Sequence, residues 1–268
     1  MKRSDVKVLI ITGFGLNCER ETAAACRLVG ATPELVHLND LIARKHTLGE
    51  YQFLIFIGGF AFGDHLGSGT IFANRVKFRL RDQLEKFIAD GKLVMGVCNG
   101  FQTLTRLGMV PALDGDYFTQ TAALAHNDSG VFRDDWCILK ADPASPCVFT
   151  KGIDKIRLPL RHGEGKFVVD DAVLGEIEAR HLAAVRYVNQ DGTPATEFPA
   201  NPNGSLNSIA GICDPTGRVF GLMPHPEAFL SPYNSPTWTF DKAAGKLPRE
   251  GEGVVFFRNA VDYIADHF

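Results

Sequence analysis

Cys98 stands at the end of the run Leu93-Val94-Met95-Gly96-Val97-Cys98-Asn99-Gly100-Phe101-Gln102, where a thiol could act as a nucleophile. An apolar stretch of strand length stops at this cysteine, with glycines two positions before and two after it. Phe101, Leu104 and Leu107 then recur at helical spacing, and Gly108 closes the turn. A strand that turns abruptly into a helix needs residues without bulk beside the turn, because larger ones resist strained backbone. The same local logic lifts the nucleophile of a Gly-x-Ser-x-Gly elbow clear of its sheet. At a helix N-terminus the free amides and the dipole favour a thiolate, the reactive form of cysteine. Taken alone, the stretch also reads as a buried core cysteine after an apolar strand.

A second segment, Arg218-Val219-Phe220-Gly221-Leu222-Met223-Pro224-His225-Pro226-Glu227-Ala228, bears on that choice. Proline fixes its own backbone and pushes the preceding residue toward an extended conformation. His225, held between two prolines, is therefore expected to be extended, and residues 225 and 227 then project to the same side. A histidine that takes a thiol proton needs a partner on its other ring nitrogen, which Glu227 is placed to supply. Without Cys98 the segment would read as a surface turn. With it, the pair of segments predicts a Cys98/His225/Glu227 relay.

The elements that must carry these residues alternate. Lys7–Thr12 reads as a strand, Glu19–Val29 as a helix closed by Gly30, and Pro33–Leu38 and Phe53–Ile57 as further strands. Thr70–Ala89 reads as a long helix whose polar face carries Arg75, Arg79 and Arg81, and Leu93–Val97 as the strand leading to Cys98. Repeated strand–helix–strand units imply a mostly parallel sheet with helices on both faces, and sites beyond the carboxyl ends of its strands. After Pro111 shorter strand-like runs follow at 131–140, 156–159, 166–169, 183–188, 208–213 and 218–223, the last two joined as a hairpin by Asp214-Pro215-Thr216-Gly217. Residues 228–252 show no helical period and are expected to form a loop or flap, and Gly253–His267 a closing helix. One domain over residues 1–268 is the simplest division.

With 45% hydrophobic residues the chain can bury a substantial core. The balance of 28 basic against 31 acidic residues gives no electrostatic footprint for nucleic acid. No apolar stretch suits a bilayer and no signal-peptide core follows the polar start, so a cytoplasmic location is expected. The six scattered cysteines, with no Cys-x-x-Cys pair, then read as free thiols. Gly163-Glu164-Gly165-Lys166 lacks what a phosphate-binding P-loop needs, Gly13-Phe14-Gly15 has a cysteine where a dinucleotide fingerprint needs glycine, and no His/Cys spacing suits zinc.

Gly-Val-Cys-Asn-Gly-Phe-Gln at 96–102 with Met-Pro-His-Pro-Glu at 223–227 resembles the class I, triad-type glutamine amidotransferases. The stretches at 15–19, 58–60, 127–130, 162–165 and 201–205 are similar to those of the glutaminases that serve phosphoribosylformylglycinamidine synthases. The resemblance implies an α/β, flavodoxin-like sheet with a smaller antiparallel portion. It also implies that Cys98 attacks the side-chain amide of L-glutamine, His225 shuttles the proton and Glu227 holds His225. Backbone amides near Gly59 and at Asn99 would meet the oxyanion, Gln102, Asn127 and Ser129 would hold the substrate, and the loop of His162 and Glu164 would couple to the partner. Cys18 is read as structural.

The implied partner is a large ATP-dependent synthetase, with a small bridging subunit allowed, that converts formylglycinamide ribonucleotide to its amidine. ATP and magnesium would belong to that partner, with no cofactor or metal on this chain. The sequence departs from the resemblance at Ala228, at Ala61, Phe62, His65 and Gly67, and at Asp135, where arginine or hydroxyl residues are usual. A free-standing γ-glutamyl or peptide hydrolase, or a non-catalytic scaffold on the same fold, stay open as alternatives.

Overall fold

The strands are β1 (Lys7–Thr12), β2 (Thr32–His37), β3 (Phe53–Phe56), β4 (Leu93–Val97), β5 (Ala122–Ala125), β6 (Arg133–Ala141), β7 (Lys155–His162), β8 (Lys166–Val169), β9 (Val185–Tyr187), β10 (Ile209–Cys213) and β11 (Val219–Leu222). The helices are α1 (Glu19–Leu28), α2 (Leu38–Ile42), α3 (Thr70–Ala89), α4 (Asn99–Leu107), α5 (Asp171–Ala179), α6 (Trp238–Ala243) and α7 (Val254–His267). The computed structural model describes residues 1–268.

Nine strands form one sheet in the order β2-β1-β3-β4-β11-β10-β9-β6-β7, while β5 and β8 pair in a small antiparallel sheet. From β2 to β11 every neighbouring pair is parallel, and from β11 to β7 every pair is antiparallel. The parallel strands β3 and β4 are buried at every position, as their uninterrupted apolar sequences FLIF and LVMGV require when helices cover both faces. A single core of 73 buried residues runs through the molecule. No helix is long and apolar enough to cross a membrane.

The register between β4 and β11 positions the site. Val97 lies opposite Leu222 and Gly96 opposite Gly221, so the two strands run side by side and end at the same edge. The approach is close because side chains are missing: a Cβ on Gly221 would run into the ring of Phe101, and one on Gly96 would sit 2.6 Å from the Gly100 carbonyl oxygen. At Gly100 a Cβ would collide with the Phe56 carbonyl. Helix α4 therefore lies directly on β3 and β4, which is possible only where its first turn is glycine.

Most expected elements are present, and four short ones go beyond them. Helix α6 lies inside the segment expected to be an irregular flap; it spans six residues, too few to display a period, and starts where Trp238 packs edge-on against Tyr233, with ring centroids 5.4 Å apart. Helices α2 and α5 and strand β5 are likewise additions; β5, Ala-Ala-Leu-Ala, has little strand propensity of its own and exists by pairing with β8. Arg75, expected on a solvated face, instead lies over the ring of Phe14 at 4.6 Å and donates to Asn39 Oδ1 at 2.9 Å.

Candidate active site

Cys98 caps α4 with φ 51° and ψ −109°, a conformation that non-glycine residues rarely adopt. Backbone strain of this kind persists only where the surroundings over-determine it. Here its amide donates to the Leu222 carbonyl at 2.8 Å and its carbonyl accepts from Gln102 N at 3.0 Å, which locks the turn from both sides. The thiol is buried, lines a cleft of about 230 Å³ and donates to the Arg161 carbonyl at 3.5 Å.

His225 borders the same cleft, beyond the end of β11. Its amide donates to the Pro159 carbonyl at 2.8 Å, and its ring donates from Nδ1 to Glu227 Oε1 at 2.5 Å. Ring and carboxylate are both buried, and Nε2 meets no partner within the protein, which leaves it free to exchange a proton. Burial by itself disfavours a charged ring, but the Glu227 charge and the Cys98 and Cys18 thiols outweigh it, and the pKa stands well above the ordinary histidine value. The extended backbone forecast for a histidine between prolines is present, with φ −104° and ψ 93°.

The backbone N–H groups of Gly59 and Asn99, on either side of the thiol, have no hydrogen-bond acceptor within the protein. Gly59 is held by the chain at 15–17: Asn17 N donates to the Gly58 carbonyl at 3.2 Å and Phe60 N to the Gly15 carbonyl at 3.0 Å. Gly59 has φ +142°, and a Cβ there would lie 2.6 Å from Leu16 Cα. The Asn99 side chain ties the segment down, accepting from Ala61 N at 3.3 Å while donating to Asp64 Oδ1 at 3.1 Å and Gln102 Oε1 at 2.8 Å. These amides form the natural candidate for an oxyanion hole.

A second cleft of about 170 Å³ adjoins Cys98 and is bordered by Gln102, Arg161, His162 and Glu164 among others. Gln102 sits on its wall, but its amide is already engaged, donating to the Glu164 carbonyl at 2.6 Å. Glu164 in turn accepts from Ser68 N at 3.1 Å, so the loop after β7 is fastened both to α4 and to the segment before α3.

Asn127 and Ser129 stand apart from both clefts. Asn127 is buried and its amide is used up: Nδ2 donates to Val131 and His162 carbonyls at 3.0 and 2.9 Å, and Oδ1 accepts from His162 Nδ1 at 3.0 Å and Gly165 N at 3.1 Å. Ser129 is exposed and bonds only to Val131. Neither borders the clefts beside Cys98; they organise the loop instead. The 201–205 segment does the same, with Asn203 Nδ2 donating to the Gly165 carbonyl at 2.9 Å. His162 is buried against Gly165, where a Cβ would lie 2.5 Å from its ring, and burial pushes its pKa down to about 3. A neutral imidazole there supports the loop rather than moving protons at neutral pH.

Three features near the nucleophile were absent from the expected site. Asp64 anchors Asn99, Arg161 borders both clefts, and the Cys18 thiol lies against His225. Donor atoms of Cys18, His225 and Glu227 fall within 4.8 Å of one another, a zinc-like set, but a metal there would take the base and its carboxylate out of service. Burial raises the Cys18 pKa to about 11, so it stays a thiol. No sequence spacing announces any of the three, because they come from separate elements: Cys18 from the start of α1, Asp64 from the turn before α3 and Arg161 from β7. Among the departures, Gly67 leaves room that the Arg106 guanidinium occupies, 3.1 Å from where a Cβ would stand.

Residues 5–264 match the family model of the CobB/CobQ-like glutamine amidotransferase domain. The chain is 43% identical over 266 residues to the phosphoribosylformylglycinamidine synthase subunit PurQ of Methanococcus maripaludis, covering 96% of this chain and 97% of that protein. It is similar in structure to a chain of PurLQS from Thermotoga maritima, with TM-score 0.71, 28% identity, and 97% and 99% of the two chains covered. A glutamine amidotransferase from Thermotoga maritima, 14% identical, shares the fold at TM-score 0.58 over 98% of this chain and 99% of that one.

Proposed function

The chain belongs to the CobB/CobQ-like glutamine amidotransferase family, and we propose that it acts within it as the glutaminase of a phosphoribosylformylglycinamidine synthase. The observation that carries this reading is the strained thiol of Cys98 beside the buried His225–Glu227 pair, in a chain with a PurQ relative along nearly its whole length.

The charged His225 ring holds the proton given up by the thiol as Cys98 Sγ attacks Cδ of L-glutamine. The amides of Gly59 and Asn99 receive the developing oxyanion, and the ring returns its proton to the departing nitrogen, releasing ammonia. Water, deprotonated by the same ring, then cleaves the γ-glutamyl thioester to glutamate and restores the thiol. Glu227 fixes the reactive tautomer and stabilises the charged ring throughout. Gln102 shapes the substrate wall, and the His162–Glu164 loop, bonded to α4, transmits partner docking to the nucleophile. None of these steps needs a cofactor of this chain's own; ATP and magnesium serve the synthetase.

The ammonia goes to a PurL-type synthetase, assembled with a PurS-type subunit, which turns formylglycinamide ribonucleotide into its amidine. The cleft mouth suits a covering partner: Phe60 and Phe132, 47% and 50% exposed, lie there with ring centroids 6.1 Å apart, and Leu66 nearby is 84% exposed. Residues 1–268 act as one domain around their common core. A reducing cytoplasm suits the six unpaired cysteines.

The test is glutamate release by the chain alone and with a PurL–PurS pair, ATP and formylglycinamide ribonucleotide. Expected is weak release alone, stimulation in the complex with amidine formed, and loss of glutamine-supported synthesis in Cys98→Ala while ammonia-supported synthesis persists. Full activity alone, indifferent to the synthetase, would instead identify an independent hydrolase.

A further inference from the structure

We propose that Arg161 grips the α-carboxylate of the substrate and makes the site selective for free glutamine over glutamine with a blocked carboxylate; this rests on the glutaminase reading. Arg161 is the penultimate residue of β7, and its carbonyl accepts from Cys98 Sγ at 3.5 Å, so its backbone stands at the nucleophile. Arg161 borders the clefts on both sides of Cys98. The guanidinium has Nε and Nη2 buried without a partner, and it makes no ion pair anywhere in the chain. Arg133, on the adjacent strand, also leaves its Nε unpartnered, but that side chain pairs with Asp135 at 3.5 Å and lies over the ring of Phe198.

Buried guanidinium donors left unpaired are costly, and the cost is relieved when a ligand brings the anion. A planar guanidinium matches a carboxylate in a two-bond fork. Free glutamine has one anionic group, its α-carboxylate, four bonds of about 1.5 Å each from the amide carbon that Cys98 attacks. An arginine rooted beside the nucleophile spans a comparable length. The same clefts carry carboxylates, Glu21 in one and Glu164 in the other, the charge that an α-ammonium pairs with. An arginine flanked by anions fits a zwitterion, whereas a peptide-bound glutamine would leave both charges unanswered.

The experiment uses the assembled complex with ATP and formylglycinamide ribonucleotide, and measures side-chain amide hydrolysis of L-glutamine and of L-glutamine α-amide. Wild type is expected to prefer glutamine strongly. Arg161→Ala should raise KM for glutamine roughly 10- to 100-fold with kcat little changed. It should also bring the two substrates toward equal kcat/KM, with Arg161→Lys restoring part of the preference. Ammonia-supported synthesis reports that the synthetase is active, and co-elution on size-exclusion chromatography that the variant has assembled with it. An unchanged KM overturns the assignment, as does a raised KM with the wild-type preference intact, since a merely structural arginine would weaken both substrates alike. If the wild-type complex hydrolyses neither substrate, the glutaminase reading fails and takes this assignment with it, a result distinct from the other two.

Discussion

His162 gives a prediction whose size follows from its surroundings. The ring is 2% exposed, hydrogen-bonded to Asn127, and held neutral down to a pKa of about 3 by burial and by the nearby cations His225 and Arg133. Unfolded, a histidine titrates near about 6.5. As pH falls below that value the unfolded chain takes up a proton that the folded chain refuses, so stability is present above about 6.5 and drains away toward 3. Between pH 7 and 5 this amounts to about 2 kcal/mol, or roughly 4–8 °C in midpoint for a chain of this size.

His225 has the opposite sign: its raised pKa adds stability that is present below about 6.5 and lost on the alkaline side. The effect of His162 is therefore isolated by difference. His162→Gln keeps a donor for Asn127 but does not titrate. Urea unfolding of wild type and variant at pH 7, 6 and 5, followed by the fluorescence of Trp136 and Trp238, should show about 2 kcal/mol less loss in the variant. Equal losses in the two proteins would refute the reasoning, since His162 would then be charged or solvated in the folded state.

Removing the charge from Glu227 takes away the largest influence that opposes burial at His225, so Glu227→Gln should lower the ring's pKa and cut kcat for glutamine hydrolysis by about 10²–10⁴-fold with KM little changed. Wild-type turnover in that variant would remove Glu227 from the relay. Gly59→Ala must accommodate a methyl group 2.6 Å from Leu16 Cα at φ +142°, which displaces the amide beside the thiol. Its kcat should fall about 10²–10³-fold while ammonia-supported synthesis by the complex is kept, and an undiminished kcat would place the oxyanion elsewhere.

What could be read from the chain was whatever is encoded locally. Cys98 announces itself because a strand, a tight turn and a helix each leave a mark within ten residues, and His225 because two prolines fix its backbone. Partner choice between distant loops left no such mark. Asn127 looked like a ligand holder, yet its amide closes on His162 and Gly165, a pairing that depends on how β5 and β8 bring two loops together. Arg161 looked like one more strand residue; only the assembled sheet puts it between two clefts without a counter-ion. Helix α6 is too short to show a period, so its six residues carried no signal that a loop would lack.

The ladder between β4 and β11 separates chemistry from chain length. The nucleophile and its base leave adjacent parallel strands at Val97 and Leu222, one strand spacing apart. Between them the chain makes a long excursion through β5 to β10 and returns to that rung. The parts of the excursion away from β7 and the clefts can be lengthened, trimmed or resurfaced, and so directed to a different docking partner, while the distance between thiol and imidazole stays inherited from the sheet. Innovation in partnership and preservation of catalysis thus fall on different parts of one polypeptide.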